Sequence, residues 1–157
     1  MNNFPPQRIV CLTEETVELL YLLGEEDKIV GVTGYAVRPK IVRKQKPRIS
    51  SFKSANIQKI IELKPDIVLA FSDIQSEIVA NLVKKGQSVL CFNQRDIEGI
   101  FNMMQTISSL LDIKQKGINL VSKLKKNIYK IKNKYSNYNK LKVYFEEWND
   151  PLITGLK

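Results

Sequence analysis

Residues 66–71 read DIVLAF, an apolar run unbroken after Asp66 and lying between Pro65 and Ser72. It is shorter than an ordinary helix and shows no polar alternation, so it fits a strand covered on both faces. A strand of that kind needs helices above and below it, and the rest of the chain supplies them by alternation. RIVCLT at 8–13, KIVGVT at 28–33 and SVLCFN at 88–93 are further apolar strand-like strings, and residues 49–52 read as a short extended piece. Between them lie amphipathic segments. Residues 14–23 carry Val17, Leu20 and Tyr21 at helical spacing, with Thr13 as N-cap, Glu14 and Glu15 in the first turn and Gly24 as the stop. Ser54 is the expected N-cap of a helix over 55–63 that Pro65 ends, Gly86 closes one over 75–85, and 96–111 forms another. Strand, helix and strand joined by tight connections predict an α/β fold: an open, four-stranded, mostly parallel sheet over residues 8–93 with helices on both faces.

The second half of the chain has a different texture. Ile118, Val121, Leu124, Ile128, Ile131, Tyr135 and Tyr138 step by three and four, which predicts one helix from Lys114 to about Tyr138. At 1.5 Å per residue it is roughly 35–40 Å long, more than the width of a small domain, so it reads as a linker built to span something. KVYFEEW at 142–148 then reads as a strand with no partner strands after it, followed by a turn at Asn149-Asp150-Pro151. The expected organisation is an α/β lobe over 1–112, a long helix over 113–140 and the start of a second lobe over 141–157. An apolar stripe and an unpaired strand predict pairing with a second copy, a homodimer, ahead of fraying.

Charge separates the same two regions. Residues 1–113 hold 14 Lys or Arg against 13 Asp or Glu, whereas residues 114–142 hold ten Lys and no acid, so the net charge of +9 sits on one segment. It reads as a solvated helix face. A nucleic-acid groove favours arginine and interleaved aromatic rings; here the basic residues are all lysine, and no nucleic-acid partner is expected.

The chain lacks histidine, which excludes Ser-His-Asp and Cys-His pairs, and its seven glycines form no phosphate-cradling loop. Glu146 and Glu147 are neighbours, so on a strand they face opposite sides and form no acid–base pair. Cys11 and Cys91 read as small buried hydrophobes, with no ligand set for a metal. No enzyme activity and no cofactor is expected. What remains is the rim where the strands end, the edge at which open α/β sheets bind ligands. Thr13, Glu14, Tyr35, Arg38, Phe52, Phe71, Ser72, Asn93, Gln94 and Arg95 fall there. Aromatic rings, two arginines and amides on one edge suit a large, partly apolar ligand with polar or anionic groups.

NIQKIIELKPDIVLA at 56–70 resembles a hallmark of periplasmic binding proteins of the cobalamin and iron-siderophore class, in which a helix leads through Pro-Asp into a central strand. RIVCLTEETVELLYLLGEEDKIVGVT at 8–33 resembles that family's opening, and the long helix with KVYFEEWNDPLITG at 142–155 resembles its interlobe helix and entry to a second lobe. The resemblance covers the chain in order and is closest to cobalamin-binding members. It implies two α/β lobes held by one rigid helix, with a small-molecule ligand (cobalamin, a siderophore or another metal chelate) between them. It places Tyr35, Phe52 and Phe71 against the ligand, with Trp148 reaching the cleft from the second lobe. It also implies an ABC permease as partner, but the glutamate with which the family docks matches Gln58 here, and a neutral amide makes no ion pair. The alternative is an interaction module that dimerises or pairs with a separate second-lobe chain. The opening, Met1 to Arg8, has no leader pattern and reads as cytoplasmic as written, or periplasmic if a leader has been removed.

Overall fold

The computed structural model describes residues 4–51, 53–146 and 148–153. Contacts divide the chain into two units, residues 1–124 and 125–157.

The first unit is built on five parallel strands: β1 (Ile9–Cys11), β2 (Ile29–Thr33), β3 (Arg48–Ser50), β4 (Ile67–Phe71) and β5 (Val89–Phe92). Their order across the sheet is β3-β2-β1-β4-β5, with every neighbouring pair parallel. The extended piece at 49–52 is therefore a full member of the sheet, shifted to 48–50, and the four expected strands become five. Three residues with exposed Arg48 at the start make no apolar run, so the piece does not stand out as a strand of the sheet. The chain winds outward from β1 through β2 to β3, then returns to β4 on the other side of β1. That reversal places a topological switch point between β1 and β4.

Alternation along each strand feeds two separate cores. On one face Ile9, Cys11, Ile29 and Leu69 pack with Leu19, Leu20 and Leu23 of α1 (Glu14–Leu23). Met103, Ile107 and Leu111, from and just beyond α5 (Ile97–Leu110), complete that face. On the other face Val10, Leu12, Val68 and Ala70 pack with Ile60 of α3 (Ile57–Glu62) and with Ile78 and Leu82 of α4 (Ser76–Lys84). A one-turn α2 (Val42–Gln45) interrupts the basic loop before β3. Helices thus cover both faces, as the DIVLAF run required: Val68, Leu69 and Ala70 are all buried.

Several local expectations shift. Ser54 does not cap α3. Its hydroxyl lies 2.7 Å from that of Ser51 in a turn, and Asn56 takes the N-cap, its Oδ1 accepting from Lys59 N at 2.9 Å. SVLCFN is not a strand buried on both faces. β5 pairs only with β4, none of its residues is fully buried, and Cys91 is exposed, while Cys11 is buried as expected.

The long helix α6 (Lys114–Lys134) ends one turn before Tyr138. Its first turns belong to the lobe. At Gly117 a side chain would meet Ser108 Cβ of α5 at 2.5 Å, so a residue that costs helix stability sits where two helices come closest. The second unit holds the rest of α6, a stretch without regular structure over 141–146, and an antiparallel pair, β6 (Trp148–Asn149) with β7 (Leu152–Ile153). The strand expected over 142–148 is thus absent through residue 146. Among the described residues this segment has no strand to pair with, and a hairpin forms instead around the Asp150-Pro151 turn. No described helix is long and apolar enough to cross a membrane.

Candidate functional site

The carboxyl rim of the sheet is assembled by the switch point. β1 ends into Thr13 and α1; its neighbour β4 ends at Phe71 and turns through Ser72 into a short 3-10 turn, Asp73–Gln75. Ser72 is held with φ 57°, a left-handed conformation unusual for serine. Its N–H donates to Phe92 O at 2.6 Å and its hydroxyl accepts from Ile74 N at 3.3 Å, so the bend is pinned on both sides.

Beneath the bend lies a residue that the sequence did not single out. Gln75 is fully buried; its Nε2 donates to Leu12 O at 3.1 Å and its Oε1 accepts from Phe71 N at 3.1 Å. One amide thereby ties the ends of β1 and β4 at the point where they part. A glutamine inside a helix-like string looks like surface, and only the fold shows that it is the floor of the crevice.

The charged residues of the rim form two groups. Arg38 lies 3.4 Å from Glu14 and 3.3 Å from Glu18, with its own side chain 67% exposed. Arg95 Nη2 donates to Asp73 Oδ1 at 3.0 Å, and that hydrogen bond holds the Asp73 carboxyl below the usual carboxylate range. Glu18 and Asp73 were not among the expected site residues, and each completes a pair that the arginines alone leave open.

Tyr35 is 58% exposed, Phe71 is half-buried, and Asn93 is exposed. Gln94 is half-buried, and its Oε1 has no hydrogen-bond partner among the described residues. Thr13 is buried at the start of α1, where its hydroxyl lies 3.4 Å from that of Thr16 rather than capping the helix, so it supports the rim from beneath. Phe52 and the Trp148 side chain lie outside the described residues. Gln58 stands apart, exposed on α3, its amide donating to Glu62 Oε1 at 3.2 Å. A cavity of about 430 Å³ opens beside the rim between the starts of α3 and α4, lined by Lys53, Ile57, Asp73, Ile74 and Asn81 among others.

The chemistry available here is recognition. Burial pushes the Cys11 thiol up to about 12, which keeps it protonated and unreactive inside the core. Burial also raises the Cys91 thiol. The described residues contain no group of three or more His, Cys, Asp or Glu able to hold a metal ion.

A family model described as periplasmic binding protein matches residues 9–156. A Bacillus subtilis protein named as an uncharacterized ABC transporter substrate-binding lipoprotein is 30% identical over 155 residues, covering 94% of this chain and 49% of the relative. A vitamin B12-binding protein of Vibrio vulnificus is 25% identical over 151 residues, covering 96% of this chain and 55% of the relative. Among solved structures, one from Staphylococcus epidermidis described as a possible iron-binding (periplasmic solute-binding) protein superposes with a TM-score of 0.81 at 28% identity, over 94% of this chain and 58% of its own. The periplasmic vitamin B12-binding protein of Vibrio cholerae gives 0.83 at 22% identity, over 97% and 60%, a likeness of fold. The chain spans about half the length of the curated relatives it matches.

Proposed function

The chain belongs to the periplasmic binding protein family, and we propose that it acts as the first lobe of an ABC-transporter solute-binding protein for cobalamin or a similarly large, ring-bearing ligand. Binding without catalysis is the activity proposed, in the periplasmic setting that the family's name gives rather than the cytoplasmic one suggested by residues 1–8. The names of relatives support the ligand class, since several are vitamin B12-binding proteins. The observation that carries the reading is the rim itself: an exposed Tyr35 ring set among charges that are already paired.

The pairing narrows the ligand. Arg38 faces two carboxylates and Arg95 faces one, so this half of the cleft offers no uncompensated cation from either arginine. Anionic groups would have to displace Glu14, Glu18 or Asp73 to reach a guanidinium. A neutral macrocycle instead stacks on Tyr35 and takes hydrogen bonds from the amides of Asn93 and Gln94. The sequence alone favoured arginines waiting for carboxylate or phosphate; the geometry favours a ligand without strong negative charge. Docking on a permease, if it follows the α3 corner, proceeds without the family's ion pair, because Gln58 is neutral and bonded to Glu62.

The test is calorimetric titration of the chain with cyanocobalamin, an anionic ferric catecholate siderophore and haemin. Cyanocobalamin is expected to bind best, and Tyr35→Ala and Phe71→Ala are each expected to weaken it by roughly 2- to 10-fold, the equivalent of a lost stacking ring. A preference for the polyanionic siderophore, or equal affinity in wild type and both variants, overturns the assignment.

A further inference from the structure

The lysines of α6 remain unused by the ligand reading. We propose that the face of α6 bearing Lys123, Lys126, Lys130 and Lys134 is a docking surface for an anionic phospholipid membrane. At 100° per residue these four fall within one arc of roughly 80°, turned away from the side that carries Val121, Leu124, Ile128 and Ile131. At 1.5 Å per residue they extend over about 16 Å of helix. All four are exposed, and Lys123, Lys126 and Lys130 have no ion pair among the described residues. Lys116, two turns earlier in the helix, differs: its Nζ is held by Glu25 and Leu23 O.

The absence of acids is what separates this face from an ordinary solvated helix. Exposed helices usually interleave opposite charges three or four residues apart, which relieves repulsion between like ones. Residues 114–142 hold ten Lys and no Asp or Glu, so the face bearing Lys123, Lys126, Lys130 and Lys134 has like charges three and four residues apart and no acid on its own helix to offset them. The occupant is argued from the type of cation. Lysine ammonium groups act as point charges toward a headgroup layer and need no fixed geometry, whereas nucleic-acid grooves favour arginine forks and stacked rings. No arginine occurs in the segment, and Tyr129 lies outside the basic arc. The choice of phospholipid rests on the proposed function, because a protein that delivers solute to a permease works beside a membrane.

The experiment is co-sedimentation of the chain with vesicles of phosphatidylcholine alone or of phosphatidylcholine with about one-third phosphatidylglycerol, a fraction set to give a substantial negative surface potential. Binding is expected only to the anionic vesicles, weakening at least about tenfold between low and physiological salt as the surface charge is screened. K123Q/K126Q/K130Q/K134Q is expected to lose at least about tenfold in affinity while keeping its helical circular dichroism; K40Q/K44Q/K84Q/K85Q, which removes equal charge elsewhere, is expected to change it by less than about threefold. Equal loss in both variants, equal binding to neutral vesicles, no binding to either, or tighter retention by duplex DNA at matched phosphate overturns the proposal. Cobalamin titration of the same variants is independent of these outcomes, so failure here leaves the ligand reading standing.

Discussion

The two rims of the sheet use their polar groups in opposite ways. At the amino rim the groups satisfy the chain itself. Asp66 Oδ2 accepts from Gln7 N at 2.8 Å and Arg8 N at 2.9 Å, and the Arg8 guanidinium donates to Leu63 O at 2.6 Å and Lys64 O at 3.1 Å. Nearby, Glu25 gathers Lys28 and Lys116 around one carboxylate. At the carboxyl rim the arginines stand in water, paired with half-buried Glu14 and Glu18 and with exposed Asp73, and Tyr35 projects its ring. Backbone groups bonded by buried or half-buried side chains are expensive to lose, while exposed ion pairs contribute little. The contrast assigns stability to one rim and recognition to the other, with the fully buried Gln75 as the main exception.

That exception gives the largest expected effect. Gln75→Leu keeps the volume near enough to pack but strips the side-chain partner from buried Leu12 O and half-buried Phe71 N. We expect a loss of about 3 kcal/mol in urea unfolding. A loss below about 1 kcal/mol would mean that water replaces the amide and that the switch point needs no built floor. Asp66→Ala should come next, at about 2 kcal/mol, because charge-assisted bonds to two backbone N–H groups disappear from a buried site. It should leave cobalamin affinity unchanged, and any change there would break the division between the rims.

How much of this contrast was legible beforehand differs by residue. DIVLAF announced a strand buried on both faces, because an apolar residue at every position from Ile67 to Phe71 has no other stable use in so short a run. The same reasoning misjudged SVLCFN. Its composition is equivalent, but burial depends on having two neighbouring strands, and β5 has only β4. Gly24 and Gly86 marked helix ends because both adopt positive φ, a local requirement visible in residue type. Ser54 and Asn56 are both good caps two residues apart, and nothing local distinguishes the one that reaches Lys59 N from the one that closes a turn with Ser51. The strand-end rule collected Tyr35, Arg38, Phe71 and Arg95 on one rim, yet it could not show that Glu18 and Asp73 neutralise the arginines. Those acids sit outside the apolar strings from which the rule works.

The Glu25 cluster sharpens the comparison through pH. Burial raises the Glu25 carboxyl, but hydrogen bonds from Lys28 and Lys116 outweigh it and hold the group below its ordinary value. A depressed folded-state value means that the stabilisation is fully present above the ordinary carboxylate range and is lost as pH falls through the folded value. We expect Glu25→Gln to cost about 1 kcal/mol at neutral pH, with the difference from wild type vanishing in acid. Parallel unfolding curves at both pH values would show that the lysines gain nothing from the charge.

The smallest expected effect is at the other rim. Arg38 bridges Glu14 and Glu18 at 3.3–3.4 Å with two-thirds of its side chain in solvent, a geometry in which Coulomb attraction is screened and side-chain freedom is given up to hold the contact. Arg38→Ala should therefore move unfolding stability by less than about 0.5 kcal/mol, within the range of exposed pairs. Its effect should appear in binding instead. Removing the cation leaves Glu14 and Glu18 uncompensated beside the crevice, so an anionic chelate should be rejected more strongly while a neutral corrinoid is nearly indifferent. Two titrations decide it, one with each ligand class, on wild type and variant at the same salt. If Arg38→Ala weakens the corrinoid and the anionic chelate alike, the guanidinium is contacting ligand directly, and the rim's charges are not already satisfied by one another.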